Sequence, residues 1–302
     1  MFINILITFF FLFGLCVGSF LNVVIYRLPK TGMSIIRPGS HCPICLEHIR
    51  WYDNIPLLSY CLLGQCCRIC KSYISMRYPL VELLTGLVFG YVAWFGLGIS
   101  GPGVFEVSGL FESVVKCSFA AALIAVTFID IDLRIIPDEI SWGGMAAAVL
   151  LSIAVPSIHA GFSIDPVLGM LPWKMQLGDY GPRVSSFFAS VFGIIVGMGL
   201  VGGIRILGRL LFRKEAMGMG DVKLMGLIGG IAGWDGVIAT VVIASFAGMV
   251  FGIANLVVNR DKYMPFGPFL AIGAFFVAVH KTAMIGFITR TYPDWFFNTF
   301  FK

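Results

Sequence analysis

The sequence predicts an all-α polytopic membrane protein of about eight transmembrane helices, with a cytoplasmic zinc-ribbon-like loop between the first and second. Three observations predict it. The 302 residues are 58% hydrophobic and 12% charged, about half the charged fraction of a typical soluble domain. Apolar runs of crossing length, about 20 residues, recur along the chain. One sizeable polar insertion, residues 27–78, carries two closely spaced cysteine pairs. The basic residues are scattered beside apolar segments, so no nucleic-acid-binding patch exists.

The first run, 4–26, has no basic segment before it and no small-residue cleavage site after it. Arg27 and Lys30 follow it instead, which predicts an uncleaved span with its N-terminus outside. Further spans are expected at 79–99, 113–131, 140–158, 186–212, 236–258 and 267–289. An eighth segment, 222–233, is short and glycine-rich; it crosses only with help from its neighbours, or is re-entrant. Charge tests this map. The predicted inside segments hold seven basic residues in 27–78, Arg134, five from Arg205 to Lys223, and Arg260 with Lys262: fifteen of 21. The chain therefore divides into a first helix (1–26), an inside cysteine loop (27–78) and a multi-helix membrane domain (79–302).

In the loop, Cys42 and Cys45 form one C-x-x-C, and Cys67 and Cys70 a second. Two such pairs at this separation have the spacing of a zinc ribbon, in which two tight turns close a tetrahedron of thiolates. A reducing cytoplasm argues against disulfides, and four protein ligands leave no open coordination position, so the zinc is structural. Cys66 leaves a register choice against Cys67, and His41 and His48 are candidate substitutes. Cys16 and Cys117 lie in apolar spans, and these and Cys61 read as structural thiols.

Two carboxylates stand out. Asp130 ends an apolar run, and Asp221 opens another in Gly218-Met-Gly220-Asp221. A carboxylate near hydrocarbon is costly unless paired, hydrated or protonated. The charge map puts both on the inside face. Pro137 ends any helix at the first site, and the glycines permit close backbone approach at the second. The structural alternatives are an ion pair between Asp130 and Arg134, one turn apart, and a helix-capping role for Asp221. As a pair they suggest aspartyl hydrolysis, one carboxylate ionised to take a proton from water and the other protonated to polarise a carbonyl. Gly197 to Gly202 matches a dinucleotide-binding pattern but lies inside an apolar span, so it reads as close helix packing, as do Gly14 with Gly18 and Gly86 with Gly90. Residues 159–185 read as an outside loop without an interpretable motif.

The chain resembles the bacterial prepilin peptidases of type IV pilus and type II secretion systems. The resemblance is carried by GSFLNVVIYRLP (Gly18 to Pro29), CPIC with CRIC, WYDNIPLLSY (Trp51 to Tyr60), RYPLVELLTG (Arg77 to Gly86), IDIDLRIIPD (Ile129 to Asp138) and GMGDVKLM (Gly218 to Met225). It implies a multi-pass protein of the bacterial inner membrane, an aspartyl protease of the GxGD kind, with Asp130 and Asp221 catalytic and the active site facing the cytoplasm. It implies cleavage of prepilins and pseudopilins after a glycine, on the cytoplasmic side of their hydrophobic helix. It implies methylation of the new N-terminus with S-adenosylmethionine, for which Glu82 and the cysteine loop are the suspects. It also aligns CRIC with the second metal pair, choosing Cys67 over Cys66. Two other readings come from different classes: a transporter with a zinc module, whose aspartates relay protons or cations, and a non-enzymatic assembly scaffold.

Overall fold

In the computed structural model the described residues are 2–30, 32–98, 107–159, 181–212, 217–258 and 265–286. They are helical, and the only β-pairing among them is two isolated bridges in the cysteine loop. The elements are α1 (Phe2–Arg27), a short α2 (Leu58–Leu62), α3 (Arg77–Gly98), α4 (Val107–Leu133), α5 (Asp138–Ala154), α6 (Gly181–Phe212), α7 (Met219–Val258) and α8 (Gly267–Gly286). Among the described residues, α1, α3, α4, α6 and α7 contain segments long and apolar enough to cross a membrane, and α8 contains a shorter apolar helix. The expected segments 222–233 and 236–258 are consecutive parts of α7, separated by a break at Gly233. Helix α6 begins at Gly181, so the expected loop 159–185 is shorter; its middle, 160–180, lies outside the described residues.

Residues Met1–Ile140 and Ser141–Lys302 form two compact units. In the first, α4 is the most enclosed helix: Phe119, Leu123, Val126 and Ile129 are buried along it. By contrast, α1 turns Phe9, Leu12, Phe13 and Phe20 outward, the apolar surface that a lipid-facing helix requires. Helices α1 and α3 meet backbone to backbone. A Cβ on Gly14 would lie 2.9 Å from the Cα of Gly86, and one on Gly18 would lie 2.7 Å from the Cα of Glu82. Small residues at a crossing let helices approach where no hydrophobic effect drives them together.

In the second unit, α6 and the first part of α7 meet still more closely. A Cβ on Gly193 would lie 2.1 Å from the carbonyl oxygen of Gly229, and one on Gly229 would lie 2.0 Å from that of Gly193. The glycine pattern beginning at Gly197 has the expected packing role, since a Cβ there would meet the Met225 carbonyl oxygen at 2.3 Å. At Gly233 the backbone adopts φ 78°, ψ 175°, a conformation open essentially to glycine alone. The break frees carbonyls, and side chains satisfy them. Lys281 donates to the Ala232 carbonyl at 2.6 Å and pairs with Asp235 at 3.0 Å, and the Ser190 hydroxyl donates to the Gly230 carbonyl at 2.9 Å. Beside this knot the buried His159 Nδ1 lies 2.9 Å from the Ser186 hydroxyl.

Replacing Gly229 with alanine is expected to destabilise the protein by about 3 kcal/mol or more, because backbone faces backbone and neither helix can yield cheaply. Gly252→Ala in the same helix has nothing within 4 Å of its new Cβ and should melt like the parent. Thermal melting of the two variants in detergent measures the difference.

Candidate functional site

The cysteine loop folds as two copies of one turn. Cys42 N–H donates to the Glu47 carbonyl at 3.0 Å, and Leu46 N–H to the Cys42 carbonyl at 2.9 Å. Twenty-five positions later, Cys67 N–H donates to Ser72 at 2.8 Å and Lys71 N–H to Cys67 at 3.0 Å. Leu46 and Lys71 occupy the same left-handed position, with φ of 59° and 57°. Each turn is closed by an isolated bridge, His41 to His48 and Cys66 to Tyr73. Cys66 is thus the counterpart of His41, one residue ahead of the first ligand of its turn.

The sulfurs of Cys42, Cys45, Cys67 and Cys70 all lie within 4.8 Å of one another, so these four can hold a metal ion. Cys42 Sγ and Cys70 Sγ are 3.8 Å apart, the edge of a tetrahedron whose metal–sulfur bonds are about 2.3 Å. His41 turns its Nδ1 to the Gly39 carbonyl at 3.0 Å, and neither it nor His48 joins the four sulfurs. The thiols divide their charge unevenly. Burial works against ionisation of Cys42, but the Cys45 and Ile44 amides overcome it and bring the thiol down to about 6. The Cys70 thiol is lowered mainly by the Ser72 hydroxyl, 3.0 Å away. Cys45 rises to about 11: the Glu47 amide favours its thiolate, but burial and the neighbouring sulfurs outweigh that help. Four adjacent thiolates need a cation between them.

Buried charges fasten this module to α1 and α3. From the end of α1, Arg27 donates to the carbonyls of Ser34 (3.2 Å), Pro38 (2.6 Å) and Gly39 (3.1 Å). From α3, Glu82 accepts the Leu57 N–H at 2.9 Å. Within the module Arg68 grips Asp53 with two hydrogen bonds, 2.8 and 2.5 Å, which hold the Asp53 carboxyl below its ordinary range. The signal that could have exposed the Glu82 fastening was a lone carboxylate inside an apolar run.

The two aspartates of the sequence reading occupy helix ends. Asp130 lies in the last turn of α4 and is 7% exposed; among the described residues only Asp130 and Glu82 are buried acids. The helix ends three residues later at Leu133, and Arg134 follows at φ 56° with its N–H on the Asp130 carbonyl at 2.9 Å. The suggested ion pair with Arg134 does not form; that side chain is exposed. Asp132 is held elsewhere: Arg77, from the start of α3, pairs with its carboxylate and donates to the Phe128 carbonyl at 3.1 Å. Asp221 lies in the first turn of α7, where its Oδ2 accepts the Gly218 N–H at 3.1 Å. The capping alternative is therefore realised, as the return half of a capping box, and a helix N-terminus favours negative charge there. Asp130 belongs to the first unit and Asp221 to the second.

A family model described as the bacterial peptidase A24 N-terminal domain matches residues 12–95, and one described as the type IV leader peptidase family matches 117–253. A prepilin leader peptidase/N-methyltransferase of Pseudomonas aeruginosa is 31% identical over 307 residues, covering 93% of this chain and 91% of its own. The chain belongs to the prepilin leader peptidase/N-methyltransferase family. Another member, from Myxococcus xanthus, is 36% identical over 249 residues, but the match spans 82% of this chain and only 62% of that relative. A type 4 prepilin-like protein leader peptide-processing enzyme of Escherichia coli O78:H11 is 33% identical over 86% of this chain and 88% of its own. No solved structure matches.

The purified protein should contain about one divalent metal ion per chain by elemental analysis, absent after Cys67→Ser together with Cys70→Ser. The ion should leave as the pH is lowered, because protons compete with it for sulfur. A folded native protein without metal contradicts this site.

Proposed function

We propose that the protein removes the leader peptide of type IV prepilins and pseudopilins, after a glycine at the cytoplasmic face of the inner membrane, with Asp130 and Asp221 as the catalytic pair. The observation that carries this reading is the burial of Asp130 at a helix end, beside an Asp132 that Arg77 already holds. Burial without a surplus of water lets a carboxyl keep or give up a proton in response to its neighbours. One member of the pair, ionised, takes a proton from the attacking water. The other, protonated, donates a hydrogen bond to the scissile carbonyl and then gives its proton toward the departing amine. The shared proton belongs to the pair rather than to one residue. Family membership and the match of 117–253, which includes both aspartates, support the assignment.

The cysteine module holds structural zinc in this reading. Tetrahedral spacing and an all-thiolate donor set favour zinc, and four protein ligands leave no place for a reacting water. The names of the relatives support a second activity, N-methylation of the N-terminus that cleavage exposes. S-adenosylmethionine, when bound, would supply the methyl group to that amine.

Incubation of the purified protein with a prepilin, followed by gel electrophoresis, tests the peptidase. Asp130→Asn and Asp221→Asn should each lower the rate by on the order of 1,000-fold or more, and the double variant should be scarcely worse, because the two act as a unit. Full cleavage by either single variant would falsify the pair. The same reactions with and without S-adenosylmethionine, read by the mass of the mature N-terminus, test methylation.

A further inference from the structure

The short helix α2 (Leu58–Leu62) is amphipathic in the wrong sense for water. Leu58, Cys61 and Leu62, at i, i+3 and i+4, share one face. That face is exposed, Leu58 by 52% and Leu62 by 75%. The buried residue is the polar one: Ser59 turns inward and donates its hydroxyl to the Tyr52 carbonyl at 3.1 Å. A helix lying against a soluble core buries its apolar side and shows its polar side to water. The same hydrogen bond ties α2 to the 3₁₀ turn Trp51–Asn54, whose first residue, Trp51, is 81% exposed. Single exposed apolar side chains are ordinary. An indole and two leucines on one short, internally bonded segment form a surface that calls for a partner.

Two observations identify that partner. The first is depth. Glu82 lies in the second turn of α3, a helix long and apolar enough to cross a membrane. Its carboxylate accepts the N–H of Leu57, the residue before α2, at 2.9 Å. The segment is thereby moored where a spanning helix meets the bilayer surface. The second is charge. Residues 28–76 hold five bases (Lys30, Arg37, Arg50, Arg68 and Lys71) and two acids, Glu47 and Asp53, and Asp53 is already taken by Arg68. Two of the bases gather beside the exposed indole. The Arg50 and Arg68 guanidinium centres lie 5.8 and 5.7 Å from the Tyr52 ring, which meets Trp51 edge-on at 5.6 Å. Tryptophan and tyrosine collect at membrane–water boundaries, and neighbouring bases are drawn to anionic lipid.

We propose that residues 51–62 form an interfacial anchor on an anionic lipid surface. Trp51, Leu58 and Leu62 enter the headgroup layer of the leaflet on the module's side, and the surplus positive charge around them attracts lipid phosphates. The inverted α2 is then the right way out, since lipid and not water meets its apolar face. The cysteine module is held at the bilayer surface twice, by its bonds to Arg27 and Glu82 and by its own contact with lipid.

A fluorescent amino acid in place of Trp51 or of Leu62, in the full-length protein reconstituted in nanodiscs, reports the contact. In phosphatidylcholine mixed with phosphatidylglycerol, lipids brominated high on their acyl chains should quench most of the emission of either probe. Aqueous iodide should quench little. Leaving out phosphatidylglycerol should weaken the quenching by lipid; quenching unchanged without it overturns the part assigned to charge. Leu58→Glu should open the probe at position 51 to iodide. That leucine is exposed, so metal content and melting temperature should stay parental. A probe reached by iodide and untouched by brominated lipid overturns the anchor. A probe shielded from both also overturns it, because protein then covers the face.

Discussion

Hydrocarbon offers no hydrogen bonds, so every backbone amide and carbonyl within it must be satisfied by the protein itself. That constraint confines the polar chemistry of this chain to places where helices stop. Asp130 sits where α4 ends, Asp221 where α7 begins, and the cysteine module between the end of α1 and the start of α3. The break inside α7 obeys the same rule: the carbonyls freed around Gly233 are met by Lys281 and Ser190. Between these points the helices are apolar and fix one another through glycine. The contact of Gly193 with Gly229 holds the short segment behind Asp221 against α6, with no space for a methyl group between the backbones.

Charge is divided between holding and acting. Arg77 spans from the start of α3 to the end of α4, taking Asp132 and the Phe128 carbonyl together, so the neighbourhood of Asp130 is built by a different residue from the one proposed to react. Asp53 and Arg68 brace the module internally, whereas Arg27 and Glu82 brace it against the helices. A side chain that braces in this way is tied to one geometry, which gives a reacting carboxylate fixed surroundings in a region with few polar groups.

Much of this was legible in the sequence because the chemistry repeats at fixed spacing. The cysteine pairs, the glycine pairs of α1 and α3, and the isolated carboxylates each announce themselves locally. What stayed hidden depends on partners far apart in the chain. Arg77 and Asp132 stand 55 positions apart, and nothing in either segment marks the other. The second turn of the module repeats the first in backbone: Leu46-Glu47 and Lys71-Ser72 share no side-chain chemistry, so the residues alone left a register choice between Cys66 and Cys67. An ion pair of Arg134 with Asp130 was the structural alternative because they are one turn apart, but the helix ends there and the arginine's backbone turns left-handed. Gly233 was one glycine among many in its segment, and only its φ and ψ identify it as the break.

The segment of α7 ahead of that break, residues 219–232, has 14 residues and is therefore about 21 Å long. The hydrocarbon core is about 30 Å thick. A crossing by this segment falls short by about 9 Å, and a bilayer answers such a mismatch by thinning around the protein. If the segment crosses, that thinning would fall beside Asp221, at its start. For a carboxylate proposed to take a proton from water, such thinning would shorten the distance from the aqueous phase to Asp221.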